Sequence, residues 1–548
     1  MATDGPARLG VHLSSDRAAL TVLLPETLGA MADAFPDATA YTVVDGGSWT
    51  FAEWDGTANR LARGLVGAGL QPDDRVALHL SPENALRWLA AYAAVHRAGG
   101  VAVPLNPRLA PDEVRRMLLH SSARWAVADG PLVAGDAGLA APRAGAATAL
   151  ELVVDATLEA SGGVGRPVPS DVDGVPVRRW DDVLGDDPSP IQVPRADDDL
   201  ADILYTSGTT GSPKGVAVRH VNASMMPPTT PTYSGGGWLH ASPMFTFAGL
   251  AFVYNPMMLG LRGIYLPKFD AVRWLEVVET ERPVAVFLVP AMAQLLLDHP
   301  RFAESDLSSV SICSVGSAPL APFVLERLQE RMPDALVSNN YGMTEAGSVY
   351  CLMPKGEAVR RPGSVGRPVP PAEVRCVDEH GDDVPAGEVG EVRLRIPGRP
   401  REYFGDPDAT ASTWRDGWLV TGDVGRIDAD GYLYIVGRNK DVVIRGGVNI
   451  HSADVEHVVL SHPAVREVAV VGKPHPVLGE DVAAFVVFQP GQEATPDELR
   501  AFCLGAMADY KAPRTWVVLD EIPRNATGKV LKPVLRRMLE EPAPNADS

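Results

Sequence analysis

The sequence predicts an α/β protein: a large N-terminal domain of layered sheets and helices, followed by a small C-terminal α+β domain. Three observations predict it. Segments with helical spacing alternate with short β-branched runs through most of the chain, the pattern of helices laid against a buried sheet. The 548 residues exceed the size at which one hydrophobic core stops growing, so at least two domains are expected. The texture changes after Gly437, where the polar run Arg438-Asn439-Lys440-Asp441 precedes a shorter set of apolar segments.

Over residues 28–129, FAEWDGTANRLARGLVGAGL (51–70) has helical spacing, and DRVALHL (74–80) and GGVAVPL (99–105) read as buried strands. Residues 130–199 turn rich in Ala, Gly, Pro and Asp with weak periodicity, and read as loops and an edge excursion. Alternation resumes over 200–436, with a strand at VAVFLVP (284–290), an apolar helix at AMAQLLL (291–297) and a strand at SICSVG (311–316). Beyond Lys440, VREVAVVGKP (465–474) and EDVAAFVVF (480–488) suggest a βαβ-like unit. The boundary is placed at Lys440, giving domains of residues 1–439 and 440–548.

Composition narrows the function. Hydrophobic residues are 46% and charged residues 22% of the chain, the balance of an ordinary globular protein. The 49 basic and 69 acidic residues leave a formal charge of −20, which disfavours nucleic acid or anionic lipid as partners. An anionic substrate must then be held by local groups. Cys313, Cys351, Cys376 and Cys503 show no CxxC spacing and are too few to staple the chain, which fits a reducing cytoplasm. The first twenty residues lack a basic segment followed by an apolar one, so no secretory signal is expected. Apolar runs such as 90–95 fall far short of the ~20 residues a bilayer span needs, so no stable membrane insertion is expected.

The most informative segment is Tyr205-Thr206-Ser207-Gly208-Thr209-Thr210-Gly211-Ser212-Pro213-Lys214-Gly215, which follows the strand-like Asp202-Ile203-Leu204. Its glycines permit tight positive-φ turns, so successive N–H groups can point into one concavity, and its hydroxyls and Lys214 add donors. That is a cradle for a polyphosphate. It lacks the Gly-Lys-Ser/Thr spacing of a Walker A loop. Thr344-Glu345 pairs a hydroxyl that can donate to a phosphate with a carboxylate suited to Mg²⁺; in isolation the pair would read as a helix N-terminus. Asp423 can accept from both hydroxyls of a ribose, although an Asp after Gly422 is ordinarily a turn residue. Lys529 supplies an ammonium that could stabilise charge building on a transferring group. His451, His457 and His462 do not share one helical face and have no companion cysteine, so surface or packing roles are expected of them.

Further motifs follow in order: VGSAPL (315–320), NNYGMTEAG (339–347), GWLVTGDVG (417–425), GRNKDVVIRGGVNI (437–450) and PRNATGKV (523–530). With the loop, they resemble over residues 28–539 the adenylate-forming superfamily, which holds acyl-CoA synthetases, nonribosomal peptide adenylation domains and luciferases. The pattern is nearest to the acyl-CoA synthetases. The resemblance implies activation of a carboxylic acid by ATP and Mg²⁺ as an acyl-adenylate, then transfer to coenzyme A. It places Thr206, Ser207, Gly208, Thr209, Thr210, Gly211 and Lys214 on the polyphosphate, and Gly316-Ser317-Ala318 with Asn340-Tyr341-Gly342 around adenine. It puts Asp423 and Arg438 on the ribose, Thr344 on the α-phosphate, Glu345 on Mg²⁺ and Lys529 at the adenylation step. Gly446-Gly447 would line the coenzyme A tunnel, and Lys440 would be the hinge that makes the small C-terminal domain mobile.

The same resemblance assigns the acyl pocket to Met244, Phe245, Thr246, Phe247, Gly249, Met343 and Gly347. Many family members carry Pro-Leu-Phe-His where this chain has Pro243-Met244-Phe245-Thr246, so a small hydroxyl replaces a ring and a wider cavity is expected. The expected acid is bulky and largely apolar. Delivery to a carrier-protein thiol is the alternative, and a homodimer is left open. A regulatory nucleotide-binding protein is the rival from another class, against which Lys529 and Glu345 argue.

Overall fold

The computed structural model describes residues 24–130, 150–157, 170–172, 174–206, 214–223, 230–318, 320–348, 351–370, 372–396, 400–525 and 529–540. Helix Phe51–Gly67 begins where the sequence places it, because Thr50 and Glu53 close a reciprocal capping box. Helix Ala85–Arg97 is buried on nearly every side, and its apolar perimeter explains why. The two helices bury Phe51, Trp54, Leu61, Trp88 and Leu89 in one cluster with Tyr41 and Tyr265 of one sheet and Val76, Leu78 and Trp125 of another. They form a layer between the sheets.

The first sheet has seven strands in the order Leu336–Asn340, Ile312–Gly316, Ala285–Leu288, Gly237–His240, Arg262–Tyr265, Thr39–Val43, Gly47–Thr50, parallel except for the last pair. The second has eight: Lys214–Arg219, Leu200–Thr206, Val101–Pro104, Arg75–His79, Trp125–Ala128, Leu152–Asp155, Val175–Arg179, Asp171–Val172. Its inner strands are parallel, and each terminal pair is antiparallel. The described residues within 130–199 therefore hold more order than composition suggested: Leu152–Asp155 is wholly buried and carries the sheet toward its edge. A four-residue strand is too short to leave a periodic trace.

The expectation of α/β alternation through residue 436 is corrected. Residues 351–438 build an antiparallel sheet in the order Cys351–Leu352, Ser364–Pro368, Leu433–Arg438, Trp418–Ile427, Gly390–Arg395, Glu373–Val377. The strand Trp418–Ile427 runs straight through Asp423, which is not a turn residue. A second correction concerns the C-terminal domain. Val465–His475 and Gly479–Phe488 pair antiparallel as a hairpin, not as a βαβ crossover. The crossover is the next one: Gly479–Phe488, helix Pro496–Ala506 and Thr515–Val518, whose two strands are parallel. This β-rich domain carries its own buried clusters, around Val443, Val455, Val470 and Leu499 on one side of its sheet and Val471, Phe485, Ile522 and Leu535 on the other. Among the described residues no helix is long and apolar enough to cross a membrane.

Candidate active site

The site gathers where parallel strands end, the usual crevice of an open α/β sheet. Leu200–Thr206 and Lys214–Arg219 form a hairpin in which Thr206 faces Lys214. Ser207, Gly208, Thr209, Thr210 and Gly211 fall in the stretch 207–213 that joins them, outside the described residues. In the first sheet Ile312–Gly316 and Leu336–Asn340 end side by side, with Gly316 opposite Asn340. Ser317 then takes a left-handed backbone (φ 73°), which turns the chain and Ala318 away from the strand end.

Tyr341 follows the second of these strands, and its hydroxyl donates to Asp423 Oδ2 at 2.5 Å. Arg438, opposite Asp423 on the neighbouring antiparallel strand, donates through Nε to Oδ1 at 2.8 Å. Asp423 is 4% exposed, so two donors, one just past the end of the parallel sheet and one within the antiparallel sheet, fix both oxygens of a buried carboxylate. Burial first, and Asp423 second, push the Tyr341 phenol well above its usual range, which keeps it a donor. The sequence linked Tyr341 to adenine and Asp423 to ribose; the structure joins the two side chains directly.

Gly342–Met343 and Gly347–Ser348 pair as a tight hairpin, with Met343 opposite Gly347. Thr344 and Glu345 form its turn, so the helix N-terminus considered for this pair is not what is found. Arg401 donates through Nη1 to Thr344 O at 2.8 Å, and the Tyr403 hydroxyl donates to Glu345 Oε1 at 2.8 Å. Neither Arg401 nor Tyr403 was singled out in the sequence. Their segment matches none of the motifs, and only its remote pairing reveals it.

The acyl segment is shaped by a cap. Thr246 accepts from Gly249 N–H at 3.0 Å and donates to Pro243 O at 2.7 Å, starting helix Phe247–Met258. The hydroxyl that replaces the family's ring is thus turned onto the backbone. Gly249 is required here, because a Cβ would lie 2.0 Å from Pro243 O. Met244 is buried, whereas Phe245 and Met343 are half-buried. Phe247 packs toward Leu204, Val216 and Tyr403, with the Arg401 guanidinium 4.9 Å from its ring centre. Gly347 lies beside the same guanidinium.

The C-terminal domain contributes Lys529 from a hairpin in which Lys529 N–H donates to Asn525 Oδ1 at 2.9 Å and Asn525 N–H to Lys529 O at 2.8 Å. Its ammonium is pushed below the usual lysine range, first by desolvation and then by Arg438, while Glu345 and Asp423 pull the other way. Those three groups belong to the N-terminal site, near enough for their charges to act on Lys529, whose residue surface remains open. Gly446 and Gly447 lie elsewhere. They form the exposed turn between Val442–Arg445 and Val448–His451, with φ of 59° and 82°, backbone that glycine adopts without strain. Lys440 lies in the short helical turn Asn439–Asp441, its carbonyl accepting from Arg536 Nη2 at 3.2 Å.

The site thus joins the hairpin that flanks residues 207–213, a buried carboxylate between a phenol and a guanidinium, and a lysine from the C-terminal domain. The family model described as AMP-binding enzyme matches residues 29–404, and that described as AMP-binding enzyme C-terminal domain matches residues 454–529. The chain belongs to the AMP-binding enzyme family. It is similar to a feruloyl-CoA synthase of Amycolatopsis sp, 36% identical over 92% of this chain and 96% of that protein. It is also similar to a fatty acid–[acyl-carrier-protein] ligase of Streptomyces coeruleorubidus, 32% identical over 91% of this chain and 93% of that protein. Among solved structures, ATP-bound MatB from Rhodopseudomonas palustris superposes with a TM-score of 0.80 at 30% identity, covering 95% of this chain and 99% of that one. The protein is an AMP-forming acid–thiol ligase, a class of enzyme that uses ATP, Mg²⁺ and coenzyme A.

Proposed function

We propose that this ligase joins a bulky, largely apolar carboxylic acid to coenzyme A through an acyl-adenylate. The observation that carries the reading is the Asp423 carboxylate held between Tyr341 and Arg438, with the Lys529 ammonium of the C-terminal domain near enough to Arg438, Glu345 and Asp423 for their charges to act on it. Asp423, held by Tyr341 and Arg438, accepts from the ribose hydroxyls, and Gly316, Ser317 and Asn340 border the adenine. Thr206, Lys214 and the loop residues between them hold the polyphosphate, and Thr344 donates to the α-phosphate.

The acid's carboxylate attacks the α-phosphorus, the bond to the pyrophosphate breaks, and negative charge grows on the transferring group. Lys529 supplies a fixed positive charge where that charge grows. Among the described residues no cluster of three acidic, histidine or cysteine side chains exists to cage a metal. A single carboxylate such as Glu345 suits Mg²⁺, which is commonly held by one or two carboxylates together with substrate phosphates. Bound there, the cation would neutralise phosphate charge. The thioester step needs a close approach for the pantetheine arm, which we assign to Gly446 and Gly447, brought in by rotation about Lys440.

Three features support a large apolar acid. Thr246 projects no ring, its hydroxyl being taken up by the helix cap; Met244, Phe245 and Met343 supply apolar surface; and the two relatives named act, by their names, on feruloyl and fatty-acyl groups. An acid-dependent pyrophosphate exchange panel tests this: exchange should be strongest with arylpropenoic or medium- to long-chain acids. A marked preference for acetate or for a free amino acid would sink the assignment. The Streptomyces relative also favours a second reading, transfer to a carrier-protein thiol. Comparing free coenzyme A with a phosphopantetheinylated carrier as acceptor separates the two.

A further inference from the structure

Residues 401–404 lie between the two halves of the nucleotide site. Their backbone adds a further strand along Lys214–Arg219, the edge of the eight-stranded sheet: Ala217 N–H donates to Glu402 O at 2.8 Å, and Phe404 N–H donates to Gly215 O at 2.7 Å. Tyr403 faces Val216 in an antiparallel bridge, and Glu402 pairs with Arg219 at 3.1 Å. The segment is therefore bonded to the strand that leaves the phosphate loop. Its side chains reach to the other half. Arg401, 5% exposed, holds Thr344 O, and Tyr403 holds Glu345 Oε1. Lys214 Nζ stands 4.8 Å from the centre of the Tyr403 ring, so one side chain touches both the loop's lysine and the carboxylate. Tyr403 is itself anchored, its N–H donating to Thr410 Oγ1 at 2.9 Å.

A turn carboxylate such as Glu345 has rotamers to choose from, and a hydroxyl donor on one oxygen selects among them. Groups that orient a metal-binding carboxylate through a hydrogen bond strongly affect metal affinity. We propose that Tyr403 is a positioning residue for the Mg²⁺–ATP site: its hydroxyl fixes the orientation of Glu345, and the strap that carries it keeps Glu345 in register with Lys214. The inference rests on the assignment of Glu345 to Mg²⁺ made above.

The test uses the full chain with Tyr403→Phe, which keeps the ring beneath Lys214, and with Glu345→Gln. Binding of α,β-methylene ATP is measured by calorimetry in Mg²⁺ and in chelator, and Mn²⁺ bound to the same complex is followed by its electron paramagnetic resonance signal. Tyr403→Phe should weaken the cation-dependent part of binding by about 10-fold or more, leave affinity in chelator unchanged, and alter the Mn²⁺ signal. Parent-like cation dependence would overturn the proposal. So would an equal loss with and without cation, since the hydroxyl would then serve the loop generally. If Glu345→Gln itself kept the parent's cation dependence, the failure would lie in the Glu345 assignment and not in the strap.

Discussion

Asp423 and Lys529 are the residues at which single side chains can be asked the sharpest questions. Asp423 has partners on both oxygens, so its replacement has two effects: loss of the proposed ribose acceptor and abandonment of Tyr341 and Arg438. Asp423→Asn keeps the shape and separates them. It should raise the KM for ATP about 10-fold or more, since a hydrogen bond to a charged group contributes roughly 1.5–3 kcal/mol, while leaving the acid's KM close to the parent's. Steady-state kinetics with each substrate varied in turn checks this; an unchanged KM for ATP with a collapsed affinity for the acid would place the ribose elsewhere. For Lys529 the lowered pKa has a signed consequence. The charged form is lost as pH rises, so kcat/KM for adenylation should fall on the alkaline side at a pH below the ordinary lysine range. Because kcat/KM reports the free enzyme and kcat the complex, bound polyphosphate should move the kcat limb to higher pH. A pH profile of pyrophosphate exchange reads both limbs, and coincident limbs would contradict the assignment.

At the scale of elements, what was legible depended on whether the signal was local. The helix Phe51–Gly67 and the buried strands, Asp202-Ile203-Leu204 among them, were readable because spacing and capping lie within a few residues; the pairing of that strand with Lys214–Arg219 was not. Parallel and antiparallel pairing leave the same alternation in a strand, so the hairpin of Val465–His475 with Gly479–Phe488 was taken for a crossover, and the sheet of residues 351–438 for further α/β alternation. Asp423, Glu345, Thr344 and Lys529 stood out because they sit in motifs. Arg401 and Tyr403 did not, because their meaning comes from partners such as Thr344, Glu345 and Lys214 that are remote in sequence. Thr246 is intermediate: its departure from the family pattern was visible, whereas its partners, Gly249 N–H and Pro243 O, became visible only in the fold. Thr246→Ala should therefore cost about 1 kcal/mol of stability through the lost cap, with Thr246→Ser restoring most of it. Chemical denaturation of the three proteins reads this directly; equal stability would mean that the cap does not limit unfolding.

At the scale of the whole molecule, a chain of formal charge −20 needs local cations to hold a polyanion, and the proposed site supplies Lys214, Arg438 and Lys529. One of these belongs to the small domain, and in the proposed mechanism that arrangement serves only the adenylation step. With Lys529 near Glu345 and Asp423, the Gly446-Gly447 turn stands in solvent, so the two segments do not occupy the site together in this orientation. The proposed resolution is rotation about Lys440, where the chain passes from the strand Leu433–Arg438 to Val442–Arg445 with a single short turn between them. Such a pivot absorbs the φ/ψ change in a few residues. Lys529→Ala should then lower acyl-adenylate formation by on the order of 10²–10³ while leaving turnover of supplied acyl-adenylate with coenzyme A largely intact. Gly447→Leu should do the reverse, since its positive φ disfavours a branched side chain and the added bulk would obstruct the proposed approach of the pantetheine arm. Lys440→Pro, which fixes φ at the pivot and restricts Asn439 before it, should spare the first step and slow the second. Single-turnover assays of each half-reaction decide between a rotating domain and a fixed one: if Lys529→Ala and Gly447→Leu impaired both steps equally, the two segments would serve one static site and the hinge would have no role.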